Sequence, residues 1–186
     1  LWRALRRLRP VLRIRKAVIL TRHDDVRQVL ERDDAFSVTY AEHMEAVTGP
    51  FILGWDDGPR YRHEAGALRA AVRPEDLPLV ASLTRERAAE VLDDGPDVDA
   101  VRIADEVVGI GLGRYLGLPE LAGPELREAA RDVFRAVFLD AETPETLERG
   151  RASSARLVAA IEAAIERVRS AGELPDDVLG RLLRAG

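Results

Sequence analysis

FILGWDDGPRYRHEAGALRAAV, residues 51–72, is the stretch on which the reading of this chain turns. An apolar run, a tryptophan, two acids and Gly-Pro lead into a helical pattern whose first turn carries Tyr61, Arg62 and His63. Pro59 suits the first helical position, where a missing N–H costs nothing, and Asp56 or Asp57 can cap the loose N–H groups. A helix N-terminus also favours anions, because its first four N–H groups lack partners and its dipole is positive there. Two readings of this turn stand: a capped helix start, or a set of donors facing an anionic cofactor.

Upstream, VLRIR and AVILT read as two short β segments rich in branched residues and separated by Arg-Lys. His23-Asp24-Asp25 then forms an N-cap region, and Val26, Val29 and Leu30 predict a helix that ends near Asp34. Residues 39–59, with Gly49, Pro50, Gly54 and Gly58, read as one long connection, a length usually tied to function or mobility. Downstream nearly everything is helical. The helix of the quoted stretch runs to about Arg73 and stops at Pro74. EDLPLVASLTRERAAEVLDDG supplies the next, ending at Gly95-Pro96. VDAVRIADEVVGIGLGRYLGLP places Val98, Val101, Ala104, Val108 and Leu112 at helical spacing and closes at Gly117 and Pro119. PELREAARDVFRAVFLD starts at Pro124, a longer helix spans roughly Pro144 to Ala171, and PDDVLGRLLRAG closes the chain. The expected fold is mainly α with a small N-terminal β part and at least six helices. It is organised as a single partial domain over residues 1–186: a basic arm (1–16), a small β region with the first helix and long loop (11–59), and a helical part (60–186).

Composition excludes several chemistries. The 186 residues contain no cysteine, so disulfides, thiolate metal sites and cysteine catalysis are absent from this chain. His23, His43 and His63 never fall at i,i+4 on one helix, which argues against a histidine metal site. The net charge of -5 conceals seven bases and no acid in residues 1–16, leaving about -12 for the remainder. Such a basic, Trp-containing start could touch a membrane surface or nucleic acid. Pro10 breaks it too early for a stable amphipathic helix, and the acidic remainder repels polyanions, so neither partner is expected. No apolar run approaches the ~18 residues a membrane span needs, and no signal-peptide pattern is present. A cytoplasmic protein is expected, trimmed upstream of Leu1.

Four motifs have plain structural readings. GIGLG at residues 109–113 lacks the third glycine of a dinucleotide fingerprint and lies inside a helical pattern, so close helix packing is expected there. The pairs Asp24-Asp25, Asp33-Asp34, Asp56-Asp57, Asp93-Asp94 and Asp176-Asp177 each abut a predicted helix end, where a short acid caps N–H groups or solvates a turn. Ser153 and Ser154 lie mid-helix with no nearby histidine, which argues against a nucleophilic serine. Phe134, Phe138 and Leu139 form an apolar stripe, readable as core or as the wall of an apolar ligand pocket.

The order VILTRHDDVRQVLERDDAFS, a long loop, DDGPRYRHEAGALRAAV, and then VDAVRIADEVVGIGLGRYLGLP resembles the N-terminal half of a bacterial cytochrome P-450, a haem-thiolate monooxygenase. In that family a strand pair leads into an xDVRxVLxD helix followed by FS, a D-x-P-x-H opening begins the next long helix, and a later helix ends in GLP. The terminal DDVLGRLL is similar to the DD-(V/L)-L-x-x-L segment that precedes the family's long central helix. The similarity runs from about Val11 to the last residue.

The resemblance implies that the helix after Pro59 faces the haem edge, where a His or Trp and an Arg four residues later bind the propionates. Tyr61 stands at the first of these positions and Ala65, which can donate nothing, at the second. Arg69, one turn further and about 40° around the helix, joins Tyr61, Arg62 and His63 as a candidate cofactor-binding residue. Phe51, Ile52 and Leu53, with Phe134, Phe138 and Leu139, are the candidate substrate-binding residues. The implied parent reaction inserts one oxygen atom from O₂ into an apolar small-molecule substrate, with electrons from NAD(P)H through a ferredoxin- or flavoprotein-type electron-transfer partner. The resemblance implies that the family's central helix with its acid-alcohol pair, its ExxR motif and its ligating cysteine would lie beyond residue 186, so the missing C-terminal half is itself an expected partner. Oxygen activation at haem depends on thiolate donation, which makes the chain inactive alone. Half a helical domain would also leave apolar faces open to water and self-associate. The alternative is a non-catalytic helical module that binds a ligand or protein.

Overall fold

The computed structural model describes residues 2–15, 17–32, 34–93, 99–139 and 143–186. The chain is mainly helical, with one two-stranded sheet near its start, as the sequence predicts. Helix α1 (Trp2–Leu8) precedes strands β1 (Val11–Ile14) and β2 (Ala17–Leu20), which pair antiparallel with Val11 opposite Leu20 and Ile14 opposite Ala17. A seven-residue helix therefore does form in the basic arm. Pro10 ends that helix instead of preventing it, and the Arg6 side chain donates to the Thr21 carbonyl (3.1 Å). Helix α2 (His23–Leu30) stops at Leu30, short of the expected Asp34, and Asp24 and Asp25 occupy its first turn beside the positive dipole end. None of the described residues in these four elements is buried.

The connection over residues 39–59 is not a bare loop. It contains helix α3 (Ala41–Thr48) and a 3₁₀ turn at Ile52–Gly54. Eight residues cannot hold a helix alone, so α3 depends on burying Met44 and Val47, and Gly49 at φ 72° ends it. Helix α4 (Pro59–Ala71) follows, with Pro59 in its first turn. A 3₁₀ turn at Pro74–Asp76 leads into α5 (Leu77–Asp93), and α6 (Ala100–Leu116) closes on Gly117 in the left-handed region (φ 77°). A further 3₁₀ turn, Pro119–Ala122, precedes α7 (Pro124–Phe138), α8 (Pro144–Ala171) and α9 (Val178–Ala185). Helix α5 packs along α6 and α7 along α8. The expected helix end at Gly95-Pro96, with Val98, Asp33 and Asp94, lies outside the described residues. Among the described residues no helix is long and apolar enough to cross a membrane.

Among the described residues the interior is three small clusters, mostly Ala and Val with Met44, Tyr115 and Leu179. Met44, Val47, Ala136 and Val137 join α3 to α7. Ala71, Tyr115 and Val178 join α4, α6 and α9, while Ala164, Val168 and Leu179 join α8 to α9. Val178 and Leu179 are adjacent, about 100° apart around α9, so this short helix belongs to two cores at once. In the GIGLG segment, a side chain at Gly109 would strike Arg127 of α7, and the Gly111 site lies 3.9 Å from the Thr84 hydroxyl of α5. Both glycines face neighbouring helices, but a methyl at Gly111 would make only ordinary contact, and one at Gly109 would displace the flexible Arg127 side chain.

The acidic pairs correct the capping expectation. Only Asp177 of the described members caps, accepting from the Gly180 N–H (2.8 Å). Asp56 instead accepts from the Val38 N–H, Asp57 is forked by Arg62, Asp34 receives Arg32 and Asp176 receives Arg181. Gly58, with no side chain to offer, is the N-cap of α4. For Asp34, Asp57 and Asp176 the competitor is an arginine, whose charge-assisted pairing draws the carboxylate away from the helix end; for Asp56 it is the Val38 N–H.

Candidate apolar binding site

Three segments of very different sequence position meet around one cavity of about 350 Å³. Helix α7 contributes Ala130, Val133, Phe134, Val137 and Phe138, at i, i+3, i+4, i+7 and i+8, a single helical face. Helix α8 contributes Ser154, Leu157, Val158 and Ile161 in the same rhythm. Met44 and Thr48 come from α3, and Phe51 and Leu53 from the turn after it. No side chain of this lining is charged.

Local contacts fix the wall. Gly150 lets α8 approach α7 closely, since a side chain there would strike the Ala136 methyl and crowd Val47. The Arg151 side chain donates to the Ala46 carbonyl (2.6 Å), tying α3 to α8. Ser153 is fully buried and donates to Asp132 (3.0 Å) while accepting from Arg156 (2.8 Å), a second tie between α7 and α8. The rings of Phe134 and Phe138 lie 4.9 Å apart, and Tyr40 meets Phe138 edge-on at 4.9 Å.

Of the expected substrate-binding residues, Phe51, Leu53, Phe134 and Phe138 line this cavity together. Ile52 and Leu139 do not. Ile52 is half-buried in the 3₁₀ turn, and Leu139 lines a separate open groove with Arg131, Arg135 and Arg149. Sequence reading missed Ser154, Leu157, Val158 and Ile161, although their i, i+3, i+4, i+7 spacing on α8 is the same signal that singled out Phe134 and Phe138.

The start of α4 adjoins the site. A second recess of about 250 Å³ shares Met44 and Phe51 with the first and is completed by Gly54, Trp55 and Arg60. The Arg60 guanidinium lies 3.9 Å from the centre of the Trp55 ring, a cation–π contact. Among the candidate cofactor-binding residues, Arg62 is held by Asp57 through two bonds of 2.8 and 2.5 Å, and its hydrogen bonds keep the Asp57 carboxyl below the ordinary aspartate range. Tyr61 is half-buried, His63 and Arg69 are exposed, and none of the three makes a hydrogen bond or ion pair among the described residues. Ala65 is buried and offers no donor. Among the described residues, helix α4 thus has three candidate side chains with uncommitted donors, Tyr61, His63 and Arg69. No group of three or more His, Asp or Glu able to hold a metal ion occurs among the described residues, and the sequence has no cysteine. Neither the family models nor the curated proteins contain a match to this chain.

Proposed function

We propose that this chain is the N-terminal portion of a cytochrome P-450-like monooxygenase and that its share of the work is the wall of the substrate cavity. The observation that carries the reading is the meeting of Phe51, Leu53, Phe134 and Phe138 around one uncharged cavity beside the start of α4. The resemblance implies substrate contact for Phe51, Ile52, Leu53, Phe134, Phe138 and Leu139, and four of these six line the cavity. The parent reaction is insertion of one oxygen atom from O₂ into an apolar small molecule, with electrons arriving through a ferredoxin- or flavoprotein-type partner. Without a thiolate of its own, the isolated chain is inactive. Its residues bind and orient an apolar substrate and exclude water; the iron ligand comes from elsewhere.

Carbon monoxide difference spectroscopy on the reduced full-length protein tests this. A thiolate-type Soret band is expected, and a spectrum lacking it overturns the reading. A second reading is a non-catalytic helical module that binds a ligand. It rests on the same uncharged cavity and predicts ligand binding with no haem signal.

A further inference from the structure

Ser153 and Ser154 are neighbours on α8 with opposite situations. Ser153 is bonded to Asp132 and Arg156. Ser154 is only 7% exposed, lines the apolar cavity, and its hydroxyl makes no hydrogen bond among the described residues. The other hydroxyl in the wall, Thr48, is already committed to the Met44 carbonyl (2.9 Å). Every remaining lining side chain is apolar. Six of them, Phe51, Leu53, Phe134, Phe138, Val158 and Ile161, stay 37–55% exposed, so the cavity is open to a ligand from solvent.

We infer that Ser154 is the polar anchor of this cavity and that its ligand is a neutral, largely apolar molecule carrying one hydroxyl or carbonyl group. This deepens the substrate-wall reading and rests on it for the cavity's role as a ligand site. The volume, about 350 Å³, falls at the lower end of small-molecule sites. An ionised ligand has no counter-charge here, and desolvating it costs far more than apolar contact returns. A ligand with no polar group displaces water from the Ser154 hydroxyl and leaves it unpaired, whereas a hydroxyl or carbonyl replaces that bond. The single free hydroxyl therefore selects for one polar group and fixes which end of the molecule faces α8.

The test uses 1-naphthol, naphthalene and 1-naphthoate as probes of the full-length protein by equilibrium dialysis. Naphthol and naphthalene are expected to bind and naphthoate to be rejected. In Ser154→Ala the naphthol-to-naphthalene affinity ratio falls by roughly 2- to 10-fold, while naphthalene binds at least as tightly as before because no hydroxyl is left unpaired, which shows the cavity intact. Ser154→Thr keeps the hydroxyl and retains the ratio. The inference is overturned by a ratio unmoved in Ser154→Ala, by naphthoate binding as well as naphthol, or by no probe binding at all. These readouts need no haem signal. A Ser154-dependent ratio in a protein without the thiolate-type spectrum leaves the anchor standing and removes the monooxygenase reading; the converse pair of results does the reverse.

Discussion

The Arg181 guanidinium meets the Asp76 carboxylate at 2.5 Å across 105 residues of sequence. The same guanidinium donates to the Ala71 carbonyl (3.0 Å) and to Asp176 (2.8 Å), and Tyr115 donates its hydroxyl to Asp76 (3.0 Å). Arg181 is buried, so one side chain of α9 satisfies the end of α4, the turn before α5 and the loop before α9 together. Burial first, and then the bond to Asp76, push the Tyr115 phenol above its ordinary range, keeping it a donor.

Removing one member of this cluster leaves a desolvated charge behind. Arg181→Met is expected to lower Tm more than any other substitution proposed here, and adding Asp76→Leu to it recovers part of the loss. Thermal circular dichroism of the two variants decides the matter; a double variant no better than the single removes the unpaired-charge explanation.

The cluster also sets an acid limit. Hydrogen bonding from Arg181 holds the Asp76 and Asp176 carboxyls below the ordinary aspartate value. A carboxyl depressed in the folded state stabilises fully above its unfolded value, about 3.9, and loses that contribution as pH falls through the lower folded value. Tm should therefore hold down to about pH 4 as far as these groups are concerned and fall below it. Asp76→Asn starts lower at neutral pH and declines less steeply in acid, which a pH series of melts reads directly.

Two glycines in helices should respond oppositely to alanine. At Gly66, exposed in α4 with nothing within 4 Å of the new methyl, helix propensity should stabilise by up to about 1 kcal/mol. Gly150→Ala meets the Ala136 methyl at the α7–α8 crossing, and overpacking of about 1–3 kcal/mol outweighs the same gain. Chemical denaturation separates the two signs.

Val158→Trp should fill the cavity from α8. Naphthol affinity is expected to drop by more than about tenfold, with the far-ultraviolet spectrum unchanged. Retained affinity would place the probe elsewhere on the molecule.

On the monooxygenase reading, Arg69 is the free cation of α4, whereas Arg62 is held by Asp57. Arg69→Ala should weaken hemin binding to the full-length protein by about 1.5–3 kcal/mol, the worth of a charge-assisted bond to a carboxylate. Arg62→Ala should change it little. Equal losses in both variants would dissolve the distinction, and no loss in either would remove Arg69 from any cofactor contact.

The long helices were legible in the amino-acid sequence because their period repeats over several turns. The 28 residues of α8 begin at Pro144 and end at Ala171, as read, and Gly117 and Pro124 mark ends that backbone geometry alone imposes. Phe134 and Phe138 announced a face by their spacing, but not whether that face met a core or a cavity. That was decided by α3, whose eight residues carry too little pattern to be seen and which stands only because Met44 and Val47 are buried and Arg151 reaches the Ala46 carbonyl. The same holds for Ser154 and Arg181. A serine mid-helix and an arginine near the chain end look ordinary in one dimension. Ser153 finds Asp132 21 residues away, its neighbour Ser154 finds no side-chain partner among the described residues, and Arg181 finds Asp76 across 105 residues. Such long-range pairing is a property of packing, which local periodicity does not encode.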